Sequence, residues 1–283
     1  MIIAEWLKDA SNFLQKNNIK NPQLEAIIIL SFFLKKSKTW IYGFNNKKIS
    51  LYQIKKLKIL LKRRANKEPI AYILGYREFW SLNLYITPAV LIPRKETEIL
   101  VLNTLQKISY KTKNILDLGT GSGAIALAIA KEHKYLNITA IDLSIKAIKI
   151  AKYNSYRLNL YNINFIHSNW FDQLYNQKFD IIVSNPPYIS NKEYLFLYKY
   201  LRYEPYKSLV TKQKGLYDLK YIIIKSANYL YNFGWLILEH APHQILYLRK
   251  FLKKNHFYNI HSYMDLNQQF RVICAQKIFN KNH

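Results

Sequence analysis

Along residues 1–74 apolar positions recur every three or four residues, the period of helices that pack on one face. Asn21-Pro22 has the form of an N-cap followed by proline at the first helical position, and Leu24, Ile27, Ile28 and Phe32 follow at helical spacing. Ser50 and Gln53 have capping-box spacing, and Leu51, Ile54, Leu57 and Leu61 then form an apolar stripe. Lys55, Lys58 and Lys62 lie off that stripe, either as a solvated face or as a docking surface for an acidic or nucleic-acid-bearing partner. Residues 75–95 change character. Gly75 ends the helical stretch, Phe79, Leu82, Leu84 and Ile86 predict a short strand pair, and Pro88 and Pro93 close it, so this segment reads as a linker hairpin. From residue 96 strand and helix patterns alternate. Helices are predicted over 97–106, 124–131, 145–156 and 219–230, and strands over 114–118, 138–141, 163–166, 179–183 and 235–238. Strands separated by helices predict an α/β domain over 96–283 with an open, mostly parallel sheet, whose ligands bind beyond the carboxyl ends of the strands.

Composition narrows this picture. Half of the 283 residues are hydrophobic, enough for a large domain and a smaller one. No apolar run reaches the roughly 18 residues needed to span a bilayer, and Glu5, Lys8 and Asp9 do not suit a secretory signal, so a cytoplasmic location without membrane contact is expected. The single cysteine, Cys274, excludes a disulfide framework and a cysteine-rich zinc site; it lies in the apolar run 272–275 and is expected to be an inert buried thiol. The seven histidines show no metal-ligand spacing; His240 and His243 are separated by Pro242 and are expected in a loop or at the surface, and no metal is expected. The net charge of +26 has two readings, attraction to phosphates or an AT-rich coding bias that places lysine on free surfaces. The aromatic run Tyr194, Phe196, Tyr198, Tyr200 and Tyr203 is read as packing rather than a base-stacking surface.

Two motifs carry chemistry. The run Asp117-Leu118-Gly119-Thr120-Gly121-Ser122-Gly123-Ala124 joins a predicted strand to a predicted helix, where glycines let the backbone approach a ligand. Gly119, Gly121 and Ala124 satisfy a dinucleotide pattern, and Asp142 at the end of the next strand can accept the ribose hydroxyls of an adenosine cofactor; this loop alone leaves NAD and S-adenosylmethionine open. The strand over 179–183 runs into Ser184-Asn185-Pro186-Pro187-Tyr188, a stiff loop at a carboxyl edge of the sheet. An amide or aromatic amino nitrogen is a poor nucleophile because its lone pair is delocalised. The Asn185 side-chain oxygen and the Pro186 carbonyl can grip its two N–H groups, orient it and favour the charge that develops on it. Tyr188 can stack on the planar group. These residues point to methyl transfer from S-adenosylmethionine to a planar nitrogen.

The Asn185 to Tyr188 segment resembles the Asn-Pro-Pro-Tyr motif of amino-methylating enzymes of the Rossmann-like methyltransferase class. Nearly the whole chain is similar to the PrmC/HemK family of release factor glutamine methyltransferases: Glu68 to Gly75 with Arg77 to Trp80, Thr87 to Arg94 with Thr97-Glu98, Ile115 to Ala130, Trp170-Phe171, Glu204-Pro205, Gly215-Leu216 and Asp265-Leu266. The resemblance implies a seven-stranded sheet and an N-terminal helical domain, here 1–74, that recognises the release factor. It implies that Gly119, Thr120, Gly121, Ser122 and Gly123 cradle the donor, Asp142 holds its ribose, and Trp170 with Asn169 borders its adenine. Asn185 would contact donor and substrate together, and Asn185, Pro186, Pro187 and Tyr188 would bind the glutamine of the Gly-Gly-Gln loop in class I release factors. Catalysis would fall to Asn185, Pro186 and Tyr188, in a monomer that needs no direct contact with nucleic acid. The sequence departs from the family at Asn169, where Asp is usual, at Lys95-Glu96 after Pro93-Arg94, and at His240 to His243, where the family favours a glycine turn. The competing reading is a nucleic-acid amino methyltransferase acting on adenine or guanine. It shares the Asn-Pro-Pro-Tyr grip, but base-flipping enzymes usually carry a further recognition domain.

Overall fold

The computed structural model describes residues 1–278, which form two compact units, Met1–Tyr76 and a second that begins at Arg77. The first unit consists of helices Ile3–Lys16, Pro22–Leu34, Lys38–Gly43, Leu51–Ala65 and Ile70–Leu74 around a core that includes Trp6, Leu14, Ile27, Leu30, Ile41 and Leu57. The capping box forms as its spacing predicts: Gln53 N donates to Ser50 Oγ at 3.2 Å and Ser50 N donates to Gln53 Oε1 at 2.9 Å. Pro22 opens its helix, but Asn21 makes no side-chain cap. Two predicted stripes need correction. Leu24 and Phe32 are exposed, and the buried face of their helix is Ala26, Ile27, Ile29 and Leu30, because a helix apolar all round gives no period to read. Leu51 is 79% exposed, so only Leu57 and Leu61 of its stripe are buried, with Ile54 partly so. Lys55, Lys58 and Lys62 are exposed. Arg64 pairs with Glu25 and Arg63 with Glu68, tying the helix Leu51–Ala65 to its neighbours.

A hairpin of β1 (Tyr76–Phe79) and β2 (Leu82–Tyr85) begins where the chain passes from the first unit to the second, turned by Trp80 and Ser81 at φ of 51° and 54°, the handedness that suits strand twist. Seven further strands build one sheet: β3 (Asn114–Leu118), β4 (Asn137–Asp142), β5 (Ile163–His167), β6 (Phe179–Ser184), β7 (Leu230–Glu239), β8 (Phe257–Met264) and β9 (Phe270–Lys277), in the order β5-β4-β3-β6-β7-β9-β8. The first five run parallel, and β9 is antiparallel to both β7 and β8. Helices cover both faces, so the central strands are buried on both sides and read as continuous apolar runs. One face packs Leu100, Val101 and the run Ala124 to Ala130; the other packs Leu219, Ile222, Ile223, Leu248 and Leu252.

The chain proceeds from β3 outward to β4 and β5, then crosses to the other side of β3 to lay down β6. This reversal between β3 and β6 is where an open α/β sheet leaves a crevice at its carboxyl edge. The sequence reading missed β8, β9 as a strand, and helices Asn191–Leu201 and Ile245–Lys254. The aromatic run also differs from expectation: within helix Asn191–Leu201 only Tyr194 is buried, while Phe196, Tyr198 and Tyr200 are exposed. Cys274 is buried on β9, and burial pushes its thiol up to about 12.

Candidate active site

The glycine loop leaves β3 at Leu118, with Gly119, Gly121 and Gly123 at φ of 76°, 57° and 85°. At Gly123 the requirement is doubled: besides its left-handed backbone, a Cβ would meet Leu127 Cδ1 at 2.9 Å and Ala151 Cβ at 3.2 Å, so glycine lets helix Ala124–Glu132 pack close. The loop is fastened to β4, since Gly119 N and Thr120 N both donate to the Ile141 carbonyl, at 3.0 and 2.8 Å. Thr120 Oγ1 donates to Asp117 Oδ2 at 2.7 Å. Asp142 accepts from Gly121 N at one oxygen and from Ser144 N at the other, each at 2.8 Å. Burial raises the pKa of Asp142, and these two N–H groups oppose the rise. Asp117, fully buried beneath the loop, is pushed up to about 7, chiefly by desolvation.

The sequence reading missed Asn154. It is buried, and its amide donates to the carbonyls of Ser122 and Tyr85, both at 2.9 Å, while its oxygen accepts from Tyr85 N at 2.7 Å. A polar residue on an otherwise apolar helix face was the available signal. Trp170 follows β5 with φ of 49°, held by Ser168 Oγ donating to its carbonyl at 2.9 Å. Its indole lies against the glycine loop: a Cβ on Gly119 would come within 3.6 Å of the ring. Asn169 is exposed and its amide donates to Asp172 Oδ2 at 3.1 Å, which leaves its oxygen as an acceptor.

Leu118 and Ser184 are register partners of β3 and β6, and Ser184 Oγ donates to the Leu118 carbonyl at 2.7 Å. The glycine loop and Asn185-Pro186-Pro187-Tyr188 therefore leave the sheet side by side at the strand-order reversal. Asn185 Nδ2 donates to Thr97 Oγ1 at 3.2 Å. Tyr188 donates its phenol proton to Glu239 Oε1 at 3.1 Å; burial and Glu239 raise its pKa far above the ordinary range, so the phenol stays neutral. Gln244 Nε2 donates to the carbonyls of Tyr188 and Gly215, both at 3.1 Å. Gly215 has φ of 82°, and a Cβ there would lie 2.2 Å from the Tyr188 carbonyl oxygen. Gly215→Ala is thus expected to lower stability by at least roughly 1–2 kcal/mol from left-handed strain alone, and to displace the Tyr188 loop. Urea unfolding and turnover check this; wild-type values for both would contradict it.

Other motif residues also meet around this edge. Arg94 pairs with the buried Glu204 at 2.5 Å, and Glu204 accepts from Ile92 N at 3.2 Å, so the loop before helix Glu98–Lys107 is clamped. Arg271 pairs with Asp265 at 2.8 Å. His240 lies in a loop as expected but is fully buried, not at the surface; desolvation lowers its pKa to about 4 and keeps the ring neutral. Among the described residues no three His, Cys, Asp or Glu side chains are grouped to hold a metal, and no helix is long and apolar enough to cross a membrane.

The seven-stranded, mostly parallel sheet with helices on both faces is a methyltransferase fold. The chain superposes on the hMettl16 catalytic domain bound to an RNA hairpin with a TM-score of 0.61 at 17% identity, covering 78% of this chain and 83% of that one. It superposes on a methyltransferase from Pyrococcus furiosus with a TM-score of 0.54 at 15% identity, covering 80% and 99%. Residues 95–200 match the family model described as methyltransferase small domain, and residues 5–75 match that described as PrmC N-terminal domain. The release factor glutamine methyltransferase of Buchnera aphidicola subsp. Schizaphis graminum is 46% identical over 98% of this chain and 100% of its own length. The protein of that name from Escherichia coli is 38% identical over 98% and 99%. The chain belongs to the release factor glutamine methyltransferase family.

Proposed function

We propose that the chain transfers the methyl group of S-adenosylmethionine to the side-chain amide nitrogen of the glutamine in the Gly-Gly-Gln loop of class I peptide-chain release factors. The observation that carries this reading is the pairing of Leu118 with Ser184, which brings the glycine loop beside Asn185 to Tyr188 in a chain of this family. The residues fit the donor. Gly119 leaves a gap before Trp170 that a Cβ would fill, and each Asp142 oxygen keeps a lone pair beyond its one backbone N–H. Gly119 to Gly123 would cradle the donor, Asp142 would hold its ribose, and Trp170 with Asn169 would border its adenine. Bound there, S-adenosylmethionine supplies a methyl group activated by a positively charged sulfur.

The chain's own part is grip and orientation. Asn185 Oδ1 and the Pro186 carbonyl each accept one N–H of the glutamine amide, which fixes the nitrogen in the line of transfer and stabilises the positive charge that grows on it. Among the described residues no hydrogen bond occupies either acceptor, while the Asn185 amide nitrogen is engaged by Thr97. Tyr188, a neutral phenol anchored by Glu239, presents a ring face to the planar amide. It does not act as a base; the surplus proton of the methylated amide passes to water. The helical unit recognises the release factor, and the enzyme works as a cytoplasmic monomer. Incubation of the enzyme with labelled methyl donor and either release factor or total RNA tests the reading. Label is expected in the protein; label in RNA alone would establish the nucleic-acid amino methyltransferase instead.

A further inference from the structure

Asparagine is a poor helix former, and its amide is costly to bury without hydrogen-bond partners. Asn154 nevertheless lies inside helix Ile145–Leu158 and is fully buried. Its partners are backbone groups of two other segments, the end of β2 and the glycine loop. We propose that Asn154 is a positioning residue that keeps the glycine loop in its donor-binding form by holding the Ser122 carbonyl. The proposal rests on the assignment of Gly119 to Gly123 to the donor made above.

Backbone groups fix the orientation of this amide. Tyr85 N can only donate, and it donates to Asn154 Oδ1 at 2.7 Å. The Tyr85 and Ser122 carbonyls can only accept, and both accept from Asn154 Nδ2 at 2.9 Å. A flipped amide would set like against like at each of these contacts. The paired bonds to Tyr85 N and O are those a neighbouring strand would make, so β2 anchors the amide while its NH₂ group also reaches the loop. The peptide between Ser122 and Gly123 is thereby held at both ends, its carbonyl by Asn154 and its N–H by the Thr120 carbonyl at 2.8 Å. The same helix supports the loop by contact: Ala151 Cβ, from the turn before Asn154, would lie 3.2 Å from a Cβ on Gly123. Three glycines leave such a loop many other backbone states. Only the arrangement that fits the donor binds it, so the apparent Kd rises in proportion as that arrangement becomes less populated. Saturating donor selects the competent form, and the rate of the chemical step is then retained.

Asn154→Leu keeps the branched outline and removes the hydrogen bonds to Tyr85 and Ser122; Asn154→Ala removes them and leaves a cavity. Calorimetry with S-adenosylmethionine, single-turnover methylation of release factor at saturating donor, and urea unfolding are measured on the full chain. A positioning role predicts that both variants raise the Kd for S-adenosylmethionine about 10- to 100-fold, the competent fraction falling to roughly 1–10%, with the saturated rate within about threefold of wild type. A packing role predicts that Asn154→Ala alone is impaired. A purely structural role predicts a lower urea midpoint with an unchanged Kd in the folded protein. Either pattern overturns the proposal, and so does a saturated rate that falls as far as the affinity. If Asn154→Leu does not fold, Asn154→Ala decides by the same split: a raised Kd with a retained rate supports the proposal, and a wild-type Kd overturns it. Wild-type binding separates the two levels. Without it, the donor assignment and this proposal fall together; with it, equal affinity in the variants removes the positioning role alone.

Discussion

Asn185→Ala is expected to slow single-turnover methylation of release factor by ~10²–10³, equivalent to roughly 2.7–4 kcal/mol, the loss typical of one preorganised polar group at a reacting centre. The fold should survive. Asn185 is only partly buried, and its side-chain hydrogen bond to Thr97 contributes about 0.5–1.5 kcal/mol. The β3–β6 junction is held by other atoms, among them Ser184 Oγ on the Leu118 carbonyl. Asn185→Asp separates charge from geometry. It retains an acceptor but brings a negative charge near a positively charged sulfur, which favours the ground state more than a transition state in which that charge is dispersing. It also loses the donor that Thr97 accepts. Donor affinity should equal or exceed that of wild type while transfer slows. Calorimetry with S-adenosylmethionine and single-turnover kinetics read the two effects independently. Near wild-type turnover of Asn185→Ala would mean that the nitrogen is gripped elsewhere.

Deletion of residues 1–76 is expected to abolish methylation of intact release factor and to leave binding of S-adenosylmethionine within about threefold, since every proposed donor contact lies in the second unit. The two units have separate cores: that of the helical unit is drawn from residues up to Ile70, and those of the sheet from Phe79 onward. The chain is divided at Tyr76 and Arg77, so truncation there removes no strand of the seven-stranded sheet. Calorimetry on the truncated chain and methylation of whole release factor supply the two readouts. Full activity on the protein substrate would show that the helical unit does not recognise it.

What the sequence disclosed followed from how local each signal was. Ser50 and Gln53 satisfy each other within one turn, and their spacing predicted the contact that forms. The strand, glycine loop and helix around Gly119 to Ala124 were legible because period, turn chemistry and length agree within a dozen residues. The site's supports were not legible. Thr97 entered only as a member of a sequence motif, and Glu239 and Asn154 were not singled out, because their partners lie on elements distant in the chain. The buried state of His240 depends in the same way on the strands packed around it. The pair β8–β9 was hidden for a different reason. Polar residues interrupt β8, which lies at the edge of the sheet, so its pattern resembles a loop. Helix Pro22–Leu34 shows the opposite failure, an apolar composition too uniform to reveal which face is buried.

The most direct measurement is mass spectrometry of the release-factor peptide that carries the Gly-Gly-Gln loop, after incubation with this enzyme and S-adenosylmethionine. The account predicts one added methyl group on the side-chain amide nitrogen of that glutamine, absent when Asn185→Ala replaces the wild-type enzyme. An unmodified glutamine with active wild-type enzyme, or a methyl group on a different residue or on RNA, would contradict it.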